Sequence, residues 1–143
     1  MKAKGKALRV EDILARIFKA RESPSKVLMD KKFAGLGDSY LNFAYSMAQS
    51  LREGEPKGLR LDNRVLAEAV RKAGLRSRLP RRLSRREIGG AAEALLAYAA
   101  ARGVISTWEL VEKLTVGSRE GLMEALAKLL SKAYRRMGDA EES

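Results

Sequence analysis

The stretch Gly89-Gly-Ala-Ala-Glu-Ala-Leu-Leu-Ala-Tyr98 is the part of the sequence that decides the fold. Glu93 is the only charged residue from Gly89 to Ala101, and the other side chains there are almost all small or apolar. A helix that is apolar on nearly all faces normally lies at the centre of its fold. Just upstream, Ser84-Arg-Arg-Glu87 has the spacing of a capping box, which marks where a helix begins. We therefore expect a central helix that begins at Ser84 and ends at Gly103.

Apolar residues recur at helical spacing on both sides of this segment, and no useful length alternates with a period of two. The pattern predicts an all-α domain of about six helices without a sheet. Ser106-Thr-Trp-Glu109 resembles a second capping box, and Gly74 is expected to end the helix that begins near Asp62 or Asn63. The aromatic residues at core spacing, which we expect to be buried, are Tyr40, Tyr45, Tyr98 and Trp108.

The chain of 143 residues is long enough for one domain and too short for two comfortable ones. We expect a single domain over residues 1–137, with residues 1–7 as a flexible basic arm carrying Lys2, Lys4 and Lys6. Residues 138–143 are expected to form an acidic, frayed C-terminal tail.

Two residue types are missing, and their absence excludes several kinds of chemistry. Without cysteine there is no disulfide or thiolate metal site, and without histidine there is no Ser-His or Cys-His nucleophile. Any metal would need oxygen ligands, which favours Mg²⁺, Mn²⁺ or Ca²⁺.

The formal net charge of +11 indicates a polyanionic partner, of which nucleic acid is the most common. An anionic membrane surface or an acidic ribosomal environment would fit the same charge. No apolar run reaches the roughly 20 residues that span a bilayer, so we expect a cytoplasmic protein without a membrane partner. Two asparagines, one glutamine and no cysteine also suggest a thermophile.

The stretch Lys32-Phe-Ala-Gly-Leu-Gly-Asp-Ser-Tyr-Leu-Asn42 places an acid within an otherwise apolar helical pattern. One interpretation makes Asp38 a helix N-cap and Gly37 a turn residue. The other makes Asp38 a buried acid, which would need a partner. Glu93 also has two interpretations. It either faces solvent, or it is a buried carboxyl that has a perturbed pKa or binds a metal.

Taken together, Leu36-Gly-Asp-Ser-x-Leu and the downstream Glu93-Ala-Leu-Leu-x-Tyr resemble the two acidic signatures of the ribonuclease III family. The resemblance spans about Lys31 to Gly103 and is closest to compact, stand-alone members of archaeal type, without a double-stranded-RNA-binding domain. It implies that Asp38 and Glu93 are catalytic metal ligands, holding Mg²⁺ or Mn²⁺ for cleavage of double-stranded RNA.

The resemblance is incomplete at the other acidic positions of that site. The position four residues before Asp38 is Ala34, and the position three before Glu93 is Gly90. The position seven before Asp38 is Lys31, which would repel a cation. One weakly held ion is compatible with these residues, whereas a complete two-metal site is not.

The resemblance also implies a homodimer, in which an aromatic side chain of the first signature inserts into the partner. The corresponding position is Gly35, which has no side chain to insert. Phe33 could replace it, but its pattern is more typical of the core.

Six arginines occur within the eleven residues Arg76-Ser-Arg-Leu-Pro-Arg-Arg-Leu-Ser-Arg-Arg86. The planar guanidinium group suits phosphate, and cations at a helix N-terminus oppose the helix dipole, so Arg85 and Arg86 do not serve stability there. We therefore expect RNA binding by this segment, against the alternative of a solvated charge run. The candidate RNA-binding residues are Arg76, Arg78, Arg81, Arg82, Arg85 and Arg86.

Three functions follow, and the sequence leaves the choice open. The first is an endoribonuclease of ribonuclease III type, with an incomplete metal site, acting on double-stranded or structured RNA. The second keeps the fold and the arginines but is catalytically inactive, and binds structured RNA, ribosomal RNA or the ribosome. The third is a small basic regulator of DNA, although no helix shows the residues typical of base recognition.

Overall fold

The computed structural model describes residues 8–18 and 23–142. Within these residues the chain forms α-helices, one short 3₁₀ turn (Arg76–Arg78) and no strand, which confirms the all-α prediction. The described ranges contain seven helices where about six were expected, because Ser23-Pro24 does not simply break the pattern but caps and begins a further short helix. The helices are α1 (Val10–Ile17), α2 (Pro24–Val27), α3 (Lys31–Glu53), α4 (Asn63–Lys72), α5 (Arg85–Ala101), α6 (Thr107–Lys113) and α7 (Arg119–Glu142).

Helix α5 is the central element that the sequence predicted. It packs against α1, α3, α4 and α7, and every residue from Ala91 to Ala100 is buried. Leu95 and Leu96 are completely shielded from solvent, and a fully buried leucine contributes about 1.5–3 kcal/mol. The alanines allow the surrounding helices to approach α5 closely, since a methyl group is all that separates the backbones.

Both capping signals mark real helix starts, but only one is a complete capping box. At α5, the Glu87 amide donates to the Ser84 hydroxyl, and the Ser84 amide donates to the Glu87 carboxylate. At α6, the Glu109 amide donates to Ser106, whereas the Glu109 carboxylate accepts from Lys132 of α7 at 2.7 Å. A tertiary ion pair therefore takes the place of the expected reciprocal bond.

The predicted helix ends are also confirmed. Asp62 caps α4 by accepting a hydrogen bond from the Arg64 amide. Gly74 follows α4 with φ of 77°, and Gly103 follows α5 with φ of 75°. These left-handed conformations are disfavoured for residues with a Cβ, which explains glycine at both positions.

The core prediction for the aromatic residues is correct except at one position. Tyr40 and Tyr98 are buried, Tyr45 is half-buried, and Phe33 stacks on Tyr98 in the core. Trp108 is 63% exposed, so its predicted core role is wrong. Helix α6 is short and turns Leu110 and Val111 inward, and this leaves Trp108 on the solvent side.

Helix α7 continues to Glu142; the fraying of the acidic C-terminal residues stays a prediction. The basic arm predicted for residues 1–7 lies outside the described residues. Among the described residues, no helix is both long enough and apolar enough to cross a membrane.

Candidate functional site

Asp38 lies inside α3, so its interpretation as an N-cap is wrong. The helix begins at Lys31, and its cap is Asp30, whose carboxylate accepts hydrogen bonds from the amides of Lys32 and Phe33 at 2.9 and 3.1 Å. Asp38 therefore stands two turns into the helix. The Asp30 carboxylate is used in capping the helix start.

Gly37 sets the contact between α3 and α5. A Cβ atom at Gly37 would lie 2.6 Å from the backbone carbonyl carbon of Glu93, and closer still to the carbonyl oxygen. Only a residue without a side chain permits this approach. Gly37 is consequently a helix-crossing residue and not the turn residue of the alternative interpretation. The crossing places Asp38, the next residue of α3, beside Glu93 of α5.

The carboxyl groups of Asp38 and Glu93 share a hydrogen bond. Glu93 is only 6% exposed, so its solvent-facing interpretation is wrong. Burial, together with the bond to Asp38 and its negative charge, raises the pKa of Glu93 to about 8. At neutral pH the Glu93 carboxyl is therefore mainly protonated and donates to the Asp38 carboxylate. The pair carries one negative charge and one shared proton.

Arg60 is the charged partner of Asp38. One guanidinium nitrogen of Arg60 donates to both carboxylate oxygens of Asp38, at 2.8 and 3.1 Å. Burial alone would raise the pKa of Asp38, but the bonds from Glu93, Arg60 and Asn42 lower it below its ordinary value. Asp38 therefore stays ionised, and the single negative charge of the acid pair resides on it.

Asn42 joins this group to the loop before α4. Its amide nitrogen donates to the Asp38 carboxylate at 3.0 Å and to the Asp38 backbone carbonyl at 2.8 Å. Its side-chain oxygen accepts from the Leu61 amide at 2.7 Å, which fixes the backbone next to Arg60. The sequence did not predict a role for Arg60 or Asn42. The spacing of Asn42, one turn after Asp38 in an apolar stretch, was the one available signal; Arg60 gave none.

Ala34 and Gly90 stand where the family resemblance implies acids, and they face each other across the crossing of α3 and α5. A Cβ atom at Gly90 would lie 3.5 Å from the Cβ of Ala34, in ordinary van der Waals contact. Both residues, together with Asp38 and Glu93, line an open cavity of about 500 Å³, which we call the acid cavity. Its wall therefore carries small residues where the family resemblance implies carboxylates.

These residues do not fit a two-metal centre. Asp38 is paired with Arg60, and Glu93 holds a proton that a metal ligand would have to release. Asp30 and Glu87 also border the cavity, but both carboxylates bind backbone amides at helix starts. Among the described residues, no three acidic side chains converge in a way that could hold a metal ion.

The arginine segment contributes to more than one surface. Arg81 and Arg82 are exposed on the loop before α5, and Arg78 lies over the Tyr134 ring at 5.4 Å. Arg86 borders the acid cavity, whereas Arg85 borders a second cavity. Arg76 donates to the backbone carbonyls of Pro80 and Arg81 at 2.8 and 2.7 Å, so its guanidinium also shapes the loop.

The position of the expected dimer contact, Gly35, is exposed, and apart from its own stretch of helix no part of the described chain lies within 4 Å of where its Cβ would be. Phe33 has the core role that its pattern predicted, so it does not replace the missing aromatic side chain. Further along α3, Phe43, Met47 and Leu51 are exposed at intervals of four residues, although their apolar pattern is typical of a buried face. The homodimer stays a prediction.

Asp38 and Glu93 meet where α3 crosses α5 at Gly37, and this defines an all-helical domain with an acid pair at its central helix crossing. The chain belongs to the ribonuclease III family, because the family's sequence model, described as Ribonuclease III, matches residues 31–139. This range includes both acids and the whole arginine segment. The family generally depends on divalent metals and binds structured RNA. No curated protein matched the chain.

Proposed function

We propose that this chain binds double-stranded or structured RNA through its arginines and does not cleave it by a two-metal reaction. The observation that carries this proposal is that Ala34 and Gly90 line the acid cavity so close together that a Cβ atom on Gly90 would contact Ala34, and neither residue can bind a cation through a side chain. The pairing of Asp38 with Arg60 supports it further, since a guanidinium group already neutralises the one ionised acid.

The charge and shape of the surface support RNA as the ligand. A net charge of +11 gives a strong attraction to polyanions, and Arg81 and Arg82 are free to contact a phosphate backbone. The described aromatic side chains are mostly in the core and do not form a platform for stacking unpaired bases. Recognition of duplex shape through phosphate groups fits such a surface better than recognition of single strands.

A second candidate is a metal-dependent endoribonuclease with one weakly held ion. The observation in its favour is that Asp38 and Glu93 do meet, and that they do so at the edge of a cavity. Mg²⁺ often binds through one or two carboxylates plus water and substrate phosphates. An ion at this place would have to displace Arg60 from Asp38 and the proton from Glu93.

One assay separates these candidates. The protein is incubated with long double-stranded RNA and either Mg²⁺ or Mn²⁺, and binding and cleavage are measured on the same samples. We expect tight, salt-sensitive binding without cleavage. Cleavage that is abolished by both Asp38→Asn and Glu93→Gln would instead establish the enzyme. A preference for duplex DNA over duplex RNA would support the regulator of DNA.

The arginine loop is tested by Arg81→Ala combined with Arg82→Ala. Loss of two phosphate contacts should flatten the dependence of log affinity on log salt concentration by about two units. The matched control is Arg16→Ala combined with Lys26→Ala, which removes the same charge from exposed positions that border neither cavity. Equal losses in the two double variants would refute a specific role for the loop.

A further inference from the structure

A second cavity of about 410 Å³ lies between α4 and the first turns of α5 and α7. Arginine is its main lining residue, and among the residues that the structure describes Glu68 is the one acid on its wall. We call this cavity the arginine groove. Its five arginines are Arg64, Arg71, Arg76, Arg85 and Arg119.

Helix geometry brings these arginines together. Arg64 and Arg71 are separated by two turns of α4, with Glu68 between them on the same face. Arg85 and Arg119 are the first residues of α5 and α7, and both helices begin at this groove. Guanidinium groups from three helices thus converge although they are far apart in sequence.

The nearby acids neutralise only part of this charge. Arg71 pairs with Glu68, and one Arg119 nitrogen lies 3.6 Å from a carboxylate oxygen of Asp62. Arg64 and Arg85 form no salt bridge with any acid that the structure describes. Like charges held close together repel each other, so the convergence costs stability unless an anion enters.

The lining also includes apolar residues, namely Ala67, Ile88 and Met123. The volume lies within the range of roughly 300–1,000 Å³ that is typical of small-ligand sites. Guanidinium groups match phosphate oxygens, whereas Ile88 and Met123 offer a surface for a sugar or a base. This combination fits a phosphate group that is attached to a nucleoside better than it fits a bare ion.

The arginine groove adjoins the acid cavity. On α4, Asn63 borders the acid cavity and the next residue, Arg64, borders the groove. On α5, Arg86 borders the acid cavity and the preceding residue, Arg85, borders the groove. The first turns of α4 and α5 therefore form the wall between the two cavities. A nucleic-acid strand that crosses this wall would have one phosphate group in the arginine groove and a neighbouring part of the same strand at Asp38 and Glu93.

We propose that the arginine groove is a binding site for a phosphodiester group of an RNA strand, with the attached nucleoside on Ile88 and Met123. The identity of the ligand as RNA rests on the proposed function. The inference that the groove binds a phosphate group does not rest on the proposed function, because a free nucleotide would offer the same phosphate group. The groove is also distinct from the loop of Arg81 and Arg82, which borders neither cavity.

The site is tested with Arg64→Gln combined with Arg85→Gln, and Arg16→Gln combined with Lys26→Gln is the control with the same loss of charge. All four side chains are exposed, so both double variants should fold, and the Tm of the groove variant should not fall below that of wild type because repulsion among the arginines is relieved. In fluorescence titrations with an RNA duplex, we expect the groove variant to bind about tenfold more weakly than the control, with a salt dependence flatter by about two units. Equal affinities for the two variants would overturn the site.

Methyl NMR distinguishes a failure of the groove from a failure of RNA binding. The Ile88 and Met123 methyl resonances are followed during titration with the RNA duplex, with adenosine monophosphate and with inorganic phosphate. Shifts with the duplex that are lost in the groove variant support the site and its RNA ligand. Shifts with adenosine monophosphate when the duplex fails to bind would keep the phosphate site and overturn its RNA ligand. Unchanged methyl resonances with all three probes would overturn the proposal as a whole.

Discussion

The backbone of Gly37 lies directly against the backbone carbonyl of Glu93, with no room for a side chain between them. This contact, and not any attraction between the acids, brings Asp38 and Glu93 together. Two hydrogen-bonded carboxyl groups cannot both ionise easily when one of them, Glu93, is buried. The shared proton and the Arg60 ion pair are the consequences of that geometry.

Gly37→Ala should destabilise the fold. The added methyl group would overlap the Glu93 carbonyl and force α3 away from α5, at a cost of about 1–3 kcal/mol. Gly35→Ala is the matched control, because a methyl group there meets open space in the same helix and should stabilise it by about 0.5–1 kcal/mol. Urea unfolding of both variants measures the difference. A Gly37→Ala protein as stable as Gly35→Ala would contradict the close crossing.

Stability should fall between about pH 5 and pH 8 because of Glu93. Its pKa is near 8 in the folded protein and near 4.5 in an unfolded chain, so the folded state retains the proton longer. The stabilisation from the protonated Glu93 carboxyl is therefore complete below the pKa of the unfolded chain. It is lost as the pH rises through the pKa of the folded protein, and the loss of stability is on the order of a few kcal/mol. Asp38 has a lowered pKa and titrates below this window.

Glu93→Gln tests the cause of this pH dependence. The amide cannot ionise but can still donate to Asp38. The variant should therefore show little of the decrease in stability with rising pH, and it should be more stable than wild type at pH 9. The absence of histidine and cysteine keeps the window clear of other side chains that ordinarily titrate there. Glu87→Gln is the control, since its carboxylate caps α5 and has a lowered pKa. Parallel curves for wild type and Glu93→Gln would argue against a protonated Glu93.

Asn42→Ala should destabilise the loop that carries Arg60. Asn42 is 7% exposed, and its loss would leave the buried Leu61 amide without its acceptor, at a cost of about 1–3 kcal/mol. Hydrogen exchange at the Leu61 amide should accelerate together with the loss of stability. Ser39→Ala, at an exposed position of the same helix, should change neither quantity. Unaltered protection of Leu61 in Asn42→Ala would show that the loop is held by other contacts.

Restoring carboxylates at the two empty positions should create metal binding. Ala34→Glu combined with Gly90→Asp places two further acids at the acid cavity, because both positions face it and each other. Mn²⁺ at about 100 times its Kd should then stabilise the variant by about 2.7 kcal/mol, measured as a rise in Tm. Ala34→Gln combined with Gly90→Asn has similar side-chain volume without the charge and should not respond. If neither variant responds to Mn²⁺, the cavity lacks the geometry that we infer.

The fold class followed from local patterns, because helix periodicity and Ser84-Arg-Arg-Glu87 each carry a physical signal within a few residues. The meeting of Asp38 and Glu93 was instead implied by the resemblance to the ribonuclease III family. The partners of the acids were not predictable in the same way. Arg60 reaches Asp38 from 22 residues away through a loop, and no periodicity indicates which arginine does so.

Exposure of apolar residues was the other point where local patterns failed. Trp108 and Phe43 both occur at spacings typical of a buried face, yet both are exposed. The pattern identifies an apolar side of a helix but not whether another element covers it. Coverage depends on the packing of the entire domain, which a short window of sequence does not contain.

Arg76 binds the carbonyl oxygens of Pro80 and Arg81, and this closes a small ring of backbone just before α5. The loop thus has its shape before any ligand arrives, and Arg81 and Arg82 project from an ordered backbone. A flexible loop would lose conformational freedom on binding, and each ordered long side chain alone costs about 0.5–1.5 kcal/mol. By ordering the loop in advance, Arg76 therefore reduces the entropic penalty of binding a ligand through Arg81 and Arg82.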